Sequence, residues 1–391
     1  MKKIISLLLA CMVALLCSTP VAADNASDRK NVTLNVYNWG EYIDPSVNDL
    51  FTEETGIKVN YKNFTDNESM YAVLSSGAAV YDIVVPSDYM VGKMIAEGML
   101  AKLDFNNIPN YSYISESLKN QSYDPKNEYS VPYTWGTVGI FYNTKYVSEE
   151  DLQQGWDLLW DEKYSGRIFM FDNPRDAFGI ALLKCGYSLN TTDPAHWDAA
   201  YEALVQQKPI LHQYVMDQVF DKMINEEGWI APYYAGDGII MMDEEEGNLD
   251  IDFFVPDMGT NLFVDALCIP ANAVHKAEAE QYINFLCRTD IALLNAEYIG
   301  YSTPQEEARA QLDPEVGENE NFYPPEELLA KTEIFLTLPD ETGTYMDSLW
   351  LKLKLPSDMW AICTVVVGVL AVACLVLFAV RFVRKIVAKK S

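Results

Sequence analysis

Apolar residues alternate with polar ones at the start of the chain, where Val32, Leu34 and Val36 have the period of a half-buried strand. The pattern then changes. Asp44-Pro45 supplies an N-cap and a first helical residue, Val47, Leu50 and Phe51 fall on one helical face, and Gly56 supplies the stop. A second strand follows over Val59–Phe64. Met70, Val73 and Leu74 mark a second helix ending at Gly77. Asp82–Pro86 reads as a buried strand, and Val91, Met94 and Ile95 as a third helix ending at Gly98. Strands alternating with helices predict a parallel sheet covered on both faces.

A second unit is expected after the run Thr137–Tyr142. Ile168–Phe171 reads as a strand, Pro174–Lys184 as its helix and Trp197–Val205 as another helix. Trp229–Tyr234 and Ile251–Val255 are further strands, and Leu262–Ile269 leads into a helix over Glu278–Leu286. Residues 313–327 are acidic and contain proline, as a surface loop does, and Pro339–Gly343 reads as a turn. The pattern predicts two α/β lobes with at least two chain crossings. The first comprises 31–138 plus 267–325 and the second 139–266 plus 326–352.

The ends follow a different pattern. Residues 1–23 have Lys2 and Lys3, an apolar stretch from Ile4 to Leu16, and Val21-Ala22-Ala23, the three parts of a secretory signal. Lipidation at Cys11 or Cys17 is the alternative. Met359–Val380 contains no charge and as a helix would be about 33 Å long, enough for a hydrocarbon core of about 30 Å. Arg381, Arg384, Lys385, Lys389 and Lys390 follow it, which predicts a single-pass anchor at 359–380 and a cytoplasmic tail at 381–391. On this reading the protein sits in the cell membrane with its main domain extracytoplasmic.

Composition narrows the function. The 391 residues carry 57 acidic and 28 basic side chains, a formal charge of −29. All the acids lie in residues 24–358 with only 21 of the bases, so that region stands at −36. Such a field repels phosphate backbones, disfavours nucleic acid and attracts cations. Outside the two ends remain Cys185, Cys268 and Cys287, without CxxC spacing, which predicts buried free thiols rather than a disulfide framework. His196, His212 and His275 are scattered and suggest no zinc site. The acidic run Asp243–Glu246 lacks the alternating spacing of a calcium loop and reads as a solvated helix end.

In open parallel sheets, ligands bind beyond the carboxyl ends of the strands. Those ends here carry Trp39-Gly40-Glu41-Tyr42, Ser87-Asp88-Tyr89, Asn173-Pro174-Arg175-Asp176, Tyr234-Ala235-Gly236-Asp237 and Phe263-Val264-Asp265. Carboxylates and aromatics thus recur together. A flexible polycation needs this combination: carboxylates pair with its ammoniums while ring faces cover its methylenes. Each residue also has a structural reading. Asp176 could complete a capping box begun by Asn173, and Asp237, Ser87 or Asp88 could cap a helix. Trp39 and Phe263 could be core, Glu41 a solvated loop acid, and Arg175 a brace for its acidic neighbours. Asp265 lies inside the apolar stretch Leu262–Ile269 and needs a partner, for which a ligand ammonium is the better account.

At these positions the chain resembles the spermidine/putrescine-binding proteins of ABC transporters. The resemblance runs from about Leu34 to Lys354. It includes Tyr-Asn-Trp-Gly-Glu-Tyr (37–42), Phe-Thr-Glu-Glu-Thr-Gly-Ile-Lys-Val (51–59), Asp-Ile-Val-Val-Pro-Ser (82–87), Ile-Pro-Ala-Asn-Ala (269–273) and Ile-Gly-Tyr-Ser-Thr-Pro (299–304). It implies an α/β, two-lobed periplasmic-binding-protein-like fold of type II that closes on its ligand, to which the sequence adds the C-terminal transmembrane helix. By the same resemblance Trp39, Tyr42, Ser87 and Tyr89, with Tyr301 nearby, line a first wall. Asp176, Tyr234, Asp237, Phe263 and Asp265 line a second, Asp265 taking a primary ammonium and Asp176 or Asp237 another charged nitrogen. Asn173 stands where the spermidine-type pattern has an acid, Tyr234 and Phe263 where it has Trp, and Gly40 where it has a small hydroxyl residue. Asp237 within Ala-Gly-Asp matches putrescine-type members. The class is a polyamine; which polyamine stays open.

The expected partners are a polyamine, ABC permease subunits, a separate ATPase subunit and, through the anchor, the membrane. The ATPase must be separate because the chain has no G-x-x-x-x-G-K-[ST] phosphate loop. No cofactor is expected. One alternative is a ligand-binding sensor subunit. A carboxylate-dependent glycosidase is the rival from the enzyme class, but its two acids must flank one bond, whereas the acids here are spread among aromatics over several strand ends.

Overall fold

The computed structural model describes residues 32–242 and 250–355. The expected signal segment, the Asp243–Glu246 run, the segment 359–380 and the tail lie outside the described residues. In chain order the main elements begin with β1 (Thr33–Trp39), α1 (Pro45–Thr55), β2 (Lys58–Phe64), α2 (Asn67–Ser76), β3 (Ile83–Val84), α3 (Asp88–Ala96) and β4 (Ser130–Asn143). Then come β5 (Ile168–Phe171), α4 (Pro174–Lys184), α5 (Pro194–Gln207), β6 (Leu211–Val215), β7 (Ile230–Tyr234), β8 (Ile251–Phe254) and β9 (Leu262–Cys268). The last are α6 (Lys276–Leu286), α7 (Thr289–Ile299) and α8 (Asp340–Lys354).

The chain forms two α/β units. The first holds the described residues through Trp135 together with Phe263–Asn319, and the second holds Gly136–Leu262 with the residues from Glu320. In the first unit β1 lies between β2 and β3 and pairs parallel with both. β9 departs from the expected parallel sheet by pairing antiparallel with β3, Val84 opposite Cys268. Continuing that register sets Ser87 opposite Asp265. The reversed direction is what brings the first half of β9 to the carboxyl ends of β1 and β3. Leu34, Val36, Phe51, Ile57, Ile83, Val85, Tyr282 and Ile283 make up much of the core of this unit.

The local signals act as expected in α1. Asp44 Oδ1 accepts from Ser46 N–H at 2.7 Å, Pro45 opens the helix, and Gly56 closes it at φ 76°, a conformation glycine adopts without strain. In the second unit β5 pairs parallel with β6 and β7, while β4 runs antiparallel to β7 and β8. Trp156, Phe169, Phe171, Phe178 and Trp197 are fully buried there. Pro339–Gly343 is not an isolated turn. Pro339 is the N-cap of α8, Asp340 and Glu341 occupy its favourable first turn, and Gly343 lies within it. Cys185, Cys268 and Cys287 are free thiols; the last two are buried, whereas Cys185 is only half-buried.

The expected fold class requires one correction. No helix among the described residues is long and apolar enough to cross a membrane. The longest described helix, α8, has 15 residues, about 22 Å against a hydrocarbon core of about 30 Å, and it carries Asp347, Lys352 and Lys354 along its length. The two-unit α/β architecture stands, and the described residues hold no C-terminal transmembrane helix.

Candidate functional site

Asp265 is the centre of the first unit's candidate site. β9 is buried along its whole length, so a carboxylate in its middle is taken out of water with it. Asp265 is 5% exposed. Its Oδ1 accepts from Ser87 Oγ at 2.6 Å and its Oδ2 from Tyr42 O–H at 2.5 Å. Burial pushes its carboxyl above the usual carboxylate range, and the two hydroxyl donors oppose that shift. Among the described residues it has no basic partner.

Aromatic rings border this carboxylate. Tyr42 meets Tyr301 edge to face at 5.5 Å between ring centroids, Tyr133 at 6.0 Å and, tilted, Trp39 at 6.5 Å. Phe263, two residues before Asp265, meets Tyr301 edge to face at 5.8 Å. Trp39 closes β1, with its indole N–H donating to Val85 O at 2.9 Å. Trp39 is therefore anchored by a backbone contact at a strand end, and the rings offer apolar surface beside an anion.

The structure separates the predicted residues of this unit. Ser87 occupies the N-cap of α3 but makes no side-chain capping bond, its hydroxyl being committed to Asp265. Asp88 holds two elements together. It is buried, and its Oδ2 accepts from Val264 N–H at 3.2 Å, which ties the start of α3 to β9. Tyr89 O–H donates to exposed Glu68 at 2.9 Å. Glu41 is exposed at φ 51° and accepts from Tyr298 O–H at 2.8 Å, outside the Asp265 cluster. Phe263 and Asp265, expected on the second wall, belong to the first unit, because the unit boundary falls after Leu262.

The second unit assembles Asp176, Tyr234 and Asp237. Asn173 caps α4 through its side-chain oxygen, which accepts from Arg175 N–H at 2.9 Å. Asp176, buried in the first turn of α4, accepts at Oδ2 from Tyr234 O–H at 2.9 Å. Burial and then the charge of Asp176 push the Tyr234 phenol well above its ordinary range, so it stays a donor. Asp237 ends the short turn Ala235–Asp237 directly after β7, and its charge adds to the upward push on Tyr233 and Tyr234. Phe171 packs against Tyr234 at 5.2 Å. Arg175 reaches Asn190 Oδ1 at 3.0 Å and lies 4.4 Å over the Phe335 ring.

Two residues of the Asp265 network escaped the sequence reading. Thr134 Oγ1 lies 2.7 Å from Tyr42 O–H, and Asn67 Nδ2 donates to Ser87 Oγ at 3.1 Å. A polar residue inside the buried run of β4 was a usable signal for Thr134. Asn67 gave none, since a polar residue at a helix start is ordinary.

The chain as a whole has counterparts in known proteins. Residues 48–324, more than half of the chain, match the family described as bacterial extracellular solute-binding protein. The spermidine/putrescine-binding periplasmic protein of Salmonella typhimurium is 37% identical over 335 residues, covering 85% of this chain and 94% of that protein. The crystal structure of the spermidine/putrescine ABC transporter substrate-binding protein PotD from Streptococcus pneumoniae superposes with a TM-score of 0.75 at 37% identity, covering 83% of this chain and 98% of that one. A PotD lipoprotein of Treponema pallidum gives 0.74 at 29% identity, covering 82% and 99%. The names of these relatives, periplasmic protein and lipoprotein, together with the lack of a membrane-crossing helix among the described residues, overturn the expected single-pass location in the cell membrane. They also replace the glycosidase alternative with a binding protein of a transport system. By sequence and fold, the chain belongs to the bacterial extracellular solute-binding protein family.

Proposed function

We propose that this protein is an extracytoplasmic receptor that binds a polyamine, putrescine or spermidine, and delivers it to an ABC permease served by a separate ATPase subunit. The observation that carries the reading is Asp265, a buried carboxylate with both oxygens held by hydroxyl donors and a border of aromatic rings. A carboxylate accepts at about four lone-pair sites, and the two hydroxyls leave capacity for an ammonium. An ammonium would offset the cost of the buried charge, and ring faces would cover the adjoining methylenes. The relatives named for spermidine and putrescine support this chemistry. Asp176 and Asp237, set beside Tyr234 in the second unit, are suited to another charged nitrogen.

Calorimetry with putrescine, spermidine and spermine tests the proposal. Saturable heat with at least one of them, without chemical change of the amine, is the expected result. No heat and no thermal shift with any of the three would overturn it.

A further inference from the structure

The hydroxyls that hold Asp265 each have one proton, and the structure determines where each proton points. Asn67 is 5% exposed and contacts Ser87 twice: its Oδ1 accepts from Ser87 N–H at 3.2 Å and its Nδ2 donates to Ser87 Oγ at 3.1 Å. A backbone N–H can only donate, so the amide oxygen must face it and the amide cannot be turned over. Ser87 Oγ therefore receives an N–H from Asn67, and its own proton is directed to Asp265. The same count applies on the other side. Asp265 Oδ2, when ionised, can only accept, so Tyr42 gives it its proton. The Thr134–Tyr42 contact must then run from Thr134 O–H to the phenolic oxygen.

We infer that Asn67 and Thr134 are positioning residues for ligand binding: each fixes the proton of an intervening hydroxyl toward Asp265, so that the carboxylate is held ionised in a buried place with its remaining lone pairs free for an ammonium. Neither residue bonds to Asp265, and neither needs to touch the ligand. The two arms are independent, Asn67 coming from the first turn of α2 and Thr134 from β4. Chains of hydrogen bonds polarise one another, so removing an outer donor weakens the inner bond to the carboxylate. The inference rests on the assignment of Asp265 to the ligand, but its first test does not need the ligand.

The titratable groups around Asp265 are Tyr42 itself, Asp88 at the start of α3, Tyr133 on β4 and Tyr301; Asp124 acts on Cys268, at the far end of β9. Of the first four, Asp88 is the only carboxylate; the others are phenols.

The test follows the carboxyl carbon resonance of Asp265 by NMR from pH 4 to pH 8 in ligand-free protein, the signal being assigned by its loss in Asp265→Asn. Thr134→Val, which keeps the shape and removes the donor, should move the midpoint upward by about half a pH unit, and Asn67→Ala should do the same. Thr134→Ser, which restores the donor, should return the wild-type midpoint. Putrescine affinity measured below the midpoint should fall about threefold in Thr134→Val and recover in Thr134→Ser. Wild-type midpoints in both Thr134→Val and Asn67→Ala would overturn the inference whatever the ligand is. Shifted midpoints support it even where wild-type protein binds no polyamine, a result that would instead overturn the proposed function.

Discussion

Tyr234 O–H donates to Asp176 across 2.9 Å, joining the end of β7 to the first turn of α4 within the second unit. The acceptor is a buried carboxylate, and hydrogen bonds to charged groups contribute about 1.5–3 kcal/mol. Tyr234→Phe should therefore destabilise the ligand-free protein by about 2 kcal/mol, read as a lower chemical-denaturation midpoint. The phenol is raised above its ordinary value, so its contribution is complete below pH 10 and is lost only as pH rises through the folded value. The difference between wild type and Tyr234→Phe should consequently be flat from pH 6 to pH 9. A difference that changes steeply in that window would show that the bond does not act in this way.

Asp265→Asn removes the charge that an ammonium is proposed to meet. The loss of a charge-assisted contact should weaken polyamine affinity by about 2 kcal/mol, roughly thirtyfold. Calorimetry on the variant checks this, and unchanged affinity would mean that Asp265 is not the ammonium partner.

The same substitution should have the opposite effect on ligand-free stability. An acid whose folded value is raised by burial favours the folded state while it is protonated. That contribution is present below the ordinary carboxylate range and is lost as pH rises through the folded value. Asp265→Asn has no charge to desolvate, so its denaturation midpoint should gain on wild type as pH rises from the ordinary carboxylate range through the folded value. A gap that narrows over this interval would contradict the assignment of the raised carboxyl to Asp265.

Asp265 was legible before the structure because an acid inside an apolar run has few explanations. The caps of α1 were legible for a similar reason: Asp44-Pro45 and Gly56 act within a few residues, and local chemistry decides them. Ser87 was ambiguous, since the same residue at a helix start can cap or point elsewhere, and only the position of Asp265, 178 residues away, selects between the two. The direction of β9 was not legible at all. A strand's apolar pattern reads the same in either orientation, and its antiparallel pairing with β3 depends on where the chain re-enters the first unit. That re-entry also moved Phe263 and Asp265 from the expected second wall to the first unit. Asn67 was hidden for the same reason, its partner lying 20 residues distant, and Thr134 stood out only as a polar residue in an apolar run, its role depending on Tyr42, 92 residues away.

Gly139 tests how tightly β4 is held in the second unit. A Cβ at this position would lie 2.2 Å from Phe253 Cζ and 2.6 Å from the backbone oxygen of Phe254 on the neighbouring β8. Overpacking of this kind typically costs about 1–3 kcal/mol, and the backbone contact allows little relaxation. Gly139→Ala should lower the denaturation midpoint accordingly. Adding Phe253→Leu should recover only part of the loss, because the Phe254 oxygen stays in place. Complete recovery would show that the ring alone excludes a side chain there.

The described thiols should differ in reactivity because the thiolate is the reacting species and burial opposes its formation. Cys287 is 2% exposed and its thiol is pushed up to about 12, leaving about one molecule in ten thousand as thiolate at pH 8. Cys268 is fully buried and raised well above the ordinary thiol value, first by burial and then by the charge of Asp124. Cys185 at the end of α4 is half-buried, and Lys184 partly offsets the upward effect of its burial. Iodoacetamide at pH 8, followed by peptide mass mapping, should label Cys185 on the folded protein and reach Cys268 and Cys287 only with denaturant. Labelling of Cys287 as fast as Cys185 in the folded protein would mean that the C-terminal end of α6, which Cys287 caps, opens readily.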